Sequence, residues 1–391
     1  MTQETQITEH FDVAVVGLGC LGSAAAYHAA RKGARVIAFE QFELGHVRGA
    51  SHDTSRIVRT SYDTPDYVAL AKAAYKDWAD LEKAAGVKLV TMTGGLTFIT
   101  KDSGVSAHNY ASSLKANNIP YELLDISEVS RRWPQFELED GIETVYTADS
   151  GIVHAARSVA AMQYVARSYG AVLKEFTRVD RVRPEIPGER VIVNTSRGSW
   201  SATKVILATD AWTNELLAPL KAEIPLTVTQ EQVTYYKPTR ITDFEPGRFP
   251  LWIWAGKLWF YGFPTFGEPT IKAGRDQAEN YMTPEQRTYV HSPTLLQQLT
   301  DFIDKLIPDK TRKALRTVTC QYTVTPGRQF IISPLANHRD IILALGAAHA
   351  FKFAPAIGRV LAELAIDGST SEDISTFGIP HTELTLSASK L

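Results

Sequence analysis

An α/β fold in two parts is what this chain predicts: an open, largely parallel sheet assembled from separate stretches, with a mainly antiparallel sheet inserted into it. Three observations predict it. The chain opens with a strand, a glycine turn, a helix and a second strand. Apolar strands of the same kind return far along the sequence. The stretch between them alternates aromatic and polar residues.

The opening unit runs from Phe11 to Glu40. Phe11-Asp12-Val13-Ala14-Val15-Val16 is an apolar strand leading straight into Gly17-Leu18-Gly19-Cys20-Leu21-Gly22. In a Rossmann-like unit Gly17 makes the tight turn, Gly19 admits a pyrophosphate to the backbone, and Gly22 lets the helix pack on the strand. Ser23 to Lys32 form that helix, whose N-terminal amides face the pyrophosphate. Gly33 ends it and Ala34 to Phe39 make the second strand. Glu40 then closes the unit 18 positions after Gly22, where a ribose hydroxyl pair needs an acceptor. A bare G-x-G-x-x-G is equally a glycine-rich turn; both strands and the acid together point to a bound dinucleotide.

Ala69 to Ala85 read as a long amphipathic helix, with Leu70, Ala73, Trp78 and Leu81 near helical spacing as core contacts. Short alternating segments such as Gly94 to Ile99 follow, and the aromatic-rich alternation from Ile224 to Lys272 predicts an antiparallel sheet. Thr203 to Trp212 read as a strand returning to the first sheet, and Asp340 to Leu345 with Gly358 to Asp367 as its last strand and helix. The expected nucleotide domain is therefore discontinuous, over residues 10–90, 145–220 and 315–380. A substrate domain takes 91–144 and 221–314, and a tail takes 381–391.

Composition narrows the class further. The chain has 391 residues, with 41 Lys plus Arg against 43 Asp plus Glu, so no charge excess draws it to nucleic acid or to a membrane surface. Its apolar runs fall short of the ~20 residues that span a bilayer. Residues 1–10 are polar and lack a signal core, which argues against secretion. Two cysteines, Cys20 and Cys320, make no disulfide framework, and no metal site is expected. Ser389-Lys390-Leu391 is the peroxisomal S-K-L address, preceded by a polar run from His381 to Ser387 that would expose it to an import receptor.

Chemistry-bearing residues cluster in four places. Ser51-His52-Asp53-Thr54-Ser55-Arg56-Ile57-Val58-Arg59 sets a histidine and two arginines just after the nucleotide unit. If the segment is extended, Arg56 and Arg59 serve different partners, one a cofactor ring and one a substrate carboxylate; solvated surface arginines are the alternative. Lys272, among apolar strand residues in Thr270-Ile271-Lys272-Ala273-Gly274, is either a satisfied buried ion pair or a catalytic charge. Cys320 by itself reads as an inert buried thiol. His349-Ala350-Phe351-Lys352-Phe353 sets another cation among apolar groups, ahead of a helix whose N-terminal end could face a ring carbonyl.

Taken together, from Phe11 to about Pro380, these segments resemble the monomeric sarcosine oxidase family, which includes N-methyltryptophan oxidase and peroxisomal pipecolate/sarcosine oxidase. The resemblance implies a Rossmann-like FAD-binding domain and a flavoprotein amine oxidase, a monomer, with FAD held covalently through a cysteine sulfur; Cys320, in its Cys-x-Tyr-Thr setting, falls on that attachment position. Ser51, His52 and Arg56 match positions by the flavin, and Gly17, Gly19, Gly22, Glu40 and Val179 match cofactor contacts, the last two at the adenosine portion. Arg59 and Lys352 match the pair that binds the substrate carboxylate, Lys352 also lying by the flavin, and Tyr261 matches an active-site tyrosine. Lys272 matches the lysine that accelerates reaction with oxygen, where a fixed cation would stabilise developing superoxide.

Some positions depart from the family pattern. Its glycine-rich loop is represented by Gly346-Ala347-Ala348-His349-Ala350-Phe351-Lys352, one residue shorter and alanine-substituted. Counting back from Tyr261 puts Trp252 where a pocket methionine is usual, and Asp276 replaces a histidine, which weakens the case for sarcosine itself. The implied reaction is oxidation of a secondary α-amino acid to an imine that water hydrolyses, with reduction of O2 to H2O2. A fructosyl-amine oxidase is the first alternative and an NAD-dependent dehydrogenase the second; a non-enzymatic nucleotide-binding module is the third.

Overall fold

The computed structural model describes residues 7–309 and 313–380. Strand Ile7–Val16 lies at the centre of the first sheet, because Val13 to Val16 are apolar and buried whichever face they point to. It runs parallel to Val36–Phe39 on one side and to Gly198–Leu207 on the other. Val172–Lys174 extends the sheet beyond Val36–Phe39. On the far side the first half of Gly198–Leu207 pairs with an antiparallel ribbon, Val179–Ile186 and Arg190–Thr195, while its last three residues pair in parallel with His338–Leu345. Ile331–Leu335 closes that edge.

The helix after the glycine turn, Cys20–Arg31, is rich in alanine, and its thin profile lets it pack between Ala155–Ser168 and Ala354–Ile366. It starts three residues before the expected Ser23, so Gly22 stands in its first turn. The strand expected to reach Trp212 stops at Leu207, and Asp210, at φ +48°, turns the chain into a short 3-10 turn, Asp210–Trp212, that no strand backbone would continue. The helix expected from Ala69 begins a turn earlier, at Pro65–Ala85, with proline in its first turn and Gly86 at φ +66° ending it.

The second sheet has the order Lys313–Val324, Thr227–Lys237, Ile271–Asp276, Trp259–Phe263, Leu251–Ala255, Gly95–Ile99, Glu143–Thr147, Glu122–Leu124. Every neighbouring pair is antiparallel except Leu251–Ala255 with Gly95–Ile99. Strand Lys313–Val324 belongs to this sheet, so the boundary expected at 315 falls inside a strand of the other half. Its pairing partner, Thr227–Lys237, lies more than 75 residues earlier in the chain, and local pattern carries no trace of that. One face of the sheet packs against helix Pro293–Leu306 through Leu299, Ile303 and Leu306, with Phe302 stacked on Phe260 at 3.9 Å. The other face looks into a cavity toward the first sheet. A small third sheet joins Arg56–Val58, Gly151–Val153 and Val90–Met92.

Ser389-Lys390-Leu391 and the polar run before it lie outside the described residues. Among those described, no helix is long and apolar enough to cross a membrane, and no group of three or more His, Cys, Asp or Glu side chains could hold a metal ion.

Candidate functional site

A cavity of about 680 Å³ runs between the two sheets. At one end stands the glycine turn. Gly17 has φ +89°, and a β-carbon there would come within 2.5 Å of the Ala208 carbonyl oxygen, so only glycine fits. Gly19 follows, and the Cys20 amide donates to Ser51 Oγ at 3.0 Å, which ties the turn to the next segment. Glu40, at the end of Val36–Phe39, accepts from the Leu18 amide at 3.0 Å and the Phe42 amide at 3.1 Å, with His46 at 3.4 Å. Burial would push this carboxyl up, but the His46 contact and the two amides hold it below its ordinary range, so it is a charged acceptor beside the turn. Val179 lines the same end.

Midway, His52 is buried, and its Nε2 has no hydrogen-bond partner among the described residues. Burial, with the charges of Arg56 and Arg287, pulls its ring down to about 3, so it is a neutral imidazole on the cavity wall whose Nε2 is buried and unpartnered among the described residues. Arg56 donates to the carbonyls of Ser55 and Ala50 at 3.0 and 3.1 Å, and its guanidinium lies 3.8 Å from Asp53. Cys320 is 8% exposed. Burial pushes its thiol up to about 11, against the lowering charges of Arg56 and Arg287. Arg287 donates to the carbonyls of Val47 and Arg48 at 2.9 and 2.7 Å and to that of Thr319 at 2.7 Å, clamping the loop before Ser51 to the strand that carries Cys320.

Lys272 is 3% exposed and donates to Asp53 at 2.6 Å, the Ser55 carbonyl at 3.0 Å and Ser55 Oγ at 3.2 Å. Lys272 is thus a satisfied buried ion pair, and it also lines the cavity.

At the far end lie Arg59 and Lys352. Arg59 donates to the Ser61 carbonyl and stacks 4.1 Å over the Tyr62 ring. Lys352 donates to the His349 carbonyl at 2.7 Å, while the Trp78 indole anchors its backbone by donating to its carbonyl at 2.8 Å. Neither cation has a carboxylate within ion-pair distance among the described residues, and burial, then the Arg59 charge, pulls Lys352 well below the ordinary lysine value. Tyr261 lies between this end and Cys320, its hydroxyl held protonated by burial. Arg328 and Asp276 pair at 2.7 Å on the adjoining wall.

Trp252 is the site residue the structure takes away. It is 1% exposed, and its ring lies in the core on the helix side of the second sheet, close to Phe302; the cavity wall at this strand is Ile253. A count wrong by one residue in a strand reverses the face. In the alanine-substituted loop, Ala347 and Ala348 hold φ +45° and +71°, so the loop keeps a left-handed path that alanine adopts only at a cost of ~1–2 kcal/mol per residue. The positions that sequence reasoning left without a role are Asp53, Tyr235, Arg287 and Arg328. Asp53 sat in a chemistry-bearing segment and Tyr235 in the expected antiparallel sheet, but nothing local marks their pairing.

The family described as "FAD dependent oxidoreductase" (DAO) matches residues 12–364. "Monomeric sarcosine oxidase" of Streptomyces avermitilis is 32% identical over 375 residues, covering 94% of this chain and 96% of that protein. "Peroxisomal sarcosine oxidase" of Homo sapiens is 30% identical over 381 residues, covering 94% and 95%. Among solved structures, the open form of NikD, "an unusual amino acid oxidase essential for nikkomycin biosynthesis", superposes with a TM-score of 0.83 at 27% identity, covering 96% of this chain and 99% of that one.

Proposed function

This chain belongs to the family of FAD-dependent oxidoreductases, and from that premise we propose that it is a flavoprotein oxidase of secondary α-amino acids, of the sarcosine, N-methyl amino acid or L-pipecolate type. The observation that carries the substrate class is the pairing of half-buried Arg59 with buried Lys352, both lining the cavity and neither with a carboxylate within ion-pair distance among the described residues. Buried cations are costly unless paired, so a site built this way favours an anion of the size of a carboxylate.

Bound FAD would accept a hydride equivalent from the carbon next to the substrate nitrogen, whose N–H proton goes to solvent as the imine forms, and would pass the two electrons to O2, which leaves with two protons as H2O2. The residues fit such a group: Gly17, Gly19 and Gly22 make the cradle, Glu40 supplies a charged acceptor, Val179 borders the adenosine end, and the spare His52 nitrogen with Ser51 and Arg56 borders the ring. The first sheet then holds the cofactor and the second roofs the substrate. Arg59 and Lys352 orient the substrate carboxylate, Tyr261 shapes the space beside its nitrogen, and Lys272 serves the oxygen step. The imine product is hydrolysed by water.

Two finer features belong to the same reading. Cys320 is the attachment point of the flavin, supported by a thiol that lines the cavity, where the charges of Arg56 and Arg287 offset part of the burial that holds it protonated. The protein acts as a monomer in the peroxisome, carried there by an import receptor that reads Ser389-Lys390-Leu391; human and mouse relatives are named peroxisomal, while bacterial relatives named monomeric are as similar.

Acid precipitation of the purified protein tests the cofactor assignment. Yellow colour should stay in the pellet and map to a peptide containing Cys320; colour in the supernatant removes the covalent link. A peroxide-release screen over sarcosine, N-methyl amino acids, L-pipecolate and fructosyl amino acids tests the substrate class. Turnover of the fructosyl compounds alone would replace it.

A further inference from the structure

Lys272 stands directly opposite Tyr235 across an antiparallel pair, so both side chains leave the same face of the second sheet toward the first. Between them sits the carboxylate of Asp53, which comes from the segment after the nucleotide unit. One of its oxygens takes the Lys272 ammonium at 2.6 Å; the other takes the Tyr235 hydroxyl at 2.5 Å and the Thr54 amide at 2.8 Å. The carboxylate is 6% exposed, and the Asp53 carbonyl accepts from the Ala156 amide at 3.1 Å, at the start of helix Ala155–Ser168. Tyr235 is itself fixed, its ring covered by the Arg316 guanidinium at 3.6 Å. Asp53 holds φ +87°, a backbone region that a non-glycine residue occupies only when its surroundings impose it. Four elements thus converge to aim one carboxylate at one ammonium.

We propose that Asp53, held by Tyr235, is a positioning residue that keeps Lys272 protonated and fixed for the reduction of oxygen, and so sets the pH range over which that half-reaction runs. The inference rests on the reading that Lys272 serves the oxygen step. In that step O2 takes two electrons and a proton from the reduced flavin and a second proton from solvent. Lys272 gives up no proton; it supplies only its charge, and it must be protonated to do so.

The groups facing Lys272 decide whether it stays charged. Burial works against the ammonium most strongly; Asp53 opposes it by charge and hydrogen bond, Arg56 adds to the loss, and the balance leaves Lys272 at about 8. Tyr235 and Phe263 present ring faces at 5.5 and 5.1 Å, and His52 nearby is neutral. Asp53 is thus the one carboxylate within ion-pair distance of Lys272 among the described residues, and without it the lysine would lose its proton at lower pH.

The test uses the holoenzyme with its flavin reduced by dithionite, mixed with oxygenated buffer from pH 6 to 10, so that no amine substrate is needed. Wild type should reoxidise at a steady rate until about pH 8 and then slow. Asp53→Asn should begin to slow at least one pH unit lower, and Asp53→Gly, which relieves the backbone while deleting the carboxylate, should match it. Tyr235→Phe should shift the fall in the same direction by less. A second readout uses the oxidised holoenzyme without substrate: the gap in thermal midpoint between wild type and Asp53→Asn should narrow as pH rises from 6 to 10, because the unpaired cation is discharged. A fall at the same pH in wild type and both Asp53 variants overturns the inference while leaving Lys272 in its role, whereas a Lys272→Met enzyme that reoxidises as fast as wild type overturns both.

Discussion

The indole of Trp252 lies flat against the bare backbone of Gly262, its partner across the strand pair, so closely that a β-carbon on the glycine would come within 2.4 Å of the ring. The two residues are a core joint on the helix side of the second sheet. Trp252→Ala should therefore cost ~3–5 kcal/mol of stability, read by urea unfolding, and leave the ranking of amine substrates unchanged. A changed ranking at full stability would return Trp252 to the substrate pocket.

Replacing Lys272 with Met should slow flavin reoxidation by ~10²–10³-fold, the scale of losing one charge-stabilising group, and slow flavin reduction by substrate far less. Stopped-flow measurement of the two half-reactions separates them, and equal slowing of both would end the assignment.

Removing either cation at the far end of the cavity leaves the substrate carboxylate half-paired. Arg59→Met or Lys352→Met should cost ~2–5 kcal/mol in kcat/KM for an N-methyl amino acid. The loss should be much smaller for an amine of the same shape without a carboxylate, so the ratio of the two substrates is the quantity to follow. A constant ratio would mean that the cations bind something else.

Glu231 lies across the strand pair from Cys320, accepting from Thr229 at 2.5 Å and from the Ala278 amide at 3.0 Å. Burial pushes its carboxyl up to about 7, above the ordinary glutamate value of 4.5, so the folded protein holds a proton that the unfolded chain releases. The stability this contributes is complete below about pH 4.5 and is lost as pH rises to about 7, on the order of 3 kcal/mol in all. Glu231→Gln should flatten that slope in denaturant titrations at pH 4.5 to 7.5; an unchanged slope would show that another group carries it.

What the sequence disclosed depended on distance along the chain. The strand, glycine turn and helix from Phe11 onward are local, and period-two and helical patterns name them within a few residues of the observed ends. The antiparallel strands between Thr227 and Asp276 announce themselves by alternation. Which face of such a strand meets the cavity is a different matter. Trp252, Ile253 and Trp254 are all apolar, so alternation gives no contrast, and only the packing of helix Pro293–Leu306 decides the sides. Asp53 was hidden for another reason: its partners lie 182 and 219 residues away, and an aspartate in a polar segment looks the same whether it faces solvent or a buried lysine.

The three strands at the heart of the first sheet, Ile7–Val16, Gly198–Leu207 and His338–Leu345, come from the beginning, the middle and the end of the described chain. That arrangement imposes an order on biosynthesis. A growing polypeptide on the ribosome can shape its glycine turn early, but the sheet that supports it gains its last parallel member only when residues near 345 emerge. The cradle therefore gains its full support only after that strand has been made, and a chain cut short before it would be left with an exposed apolar edge, a substrate for chaperones and proteases.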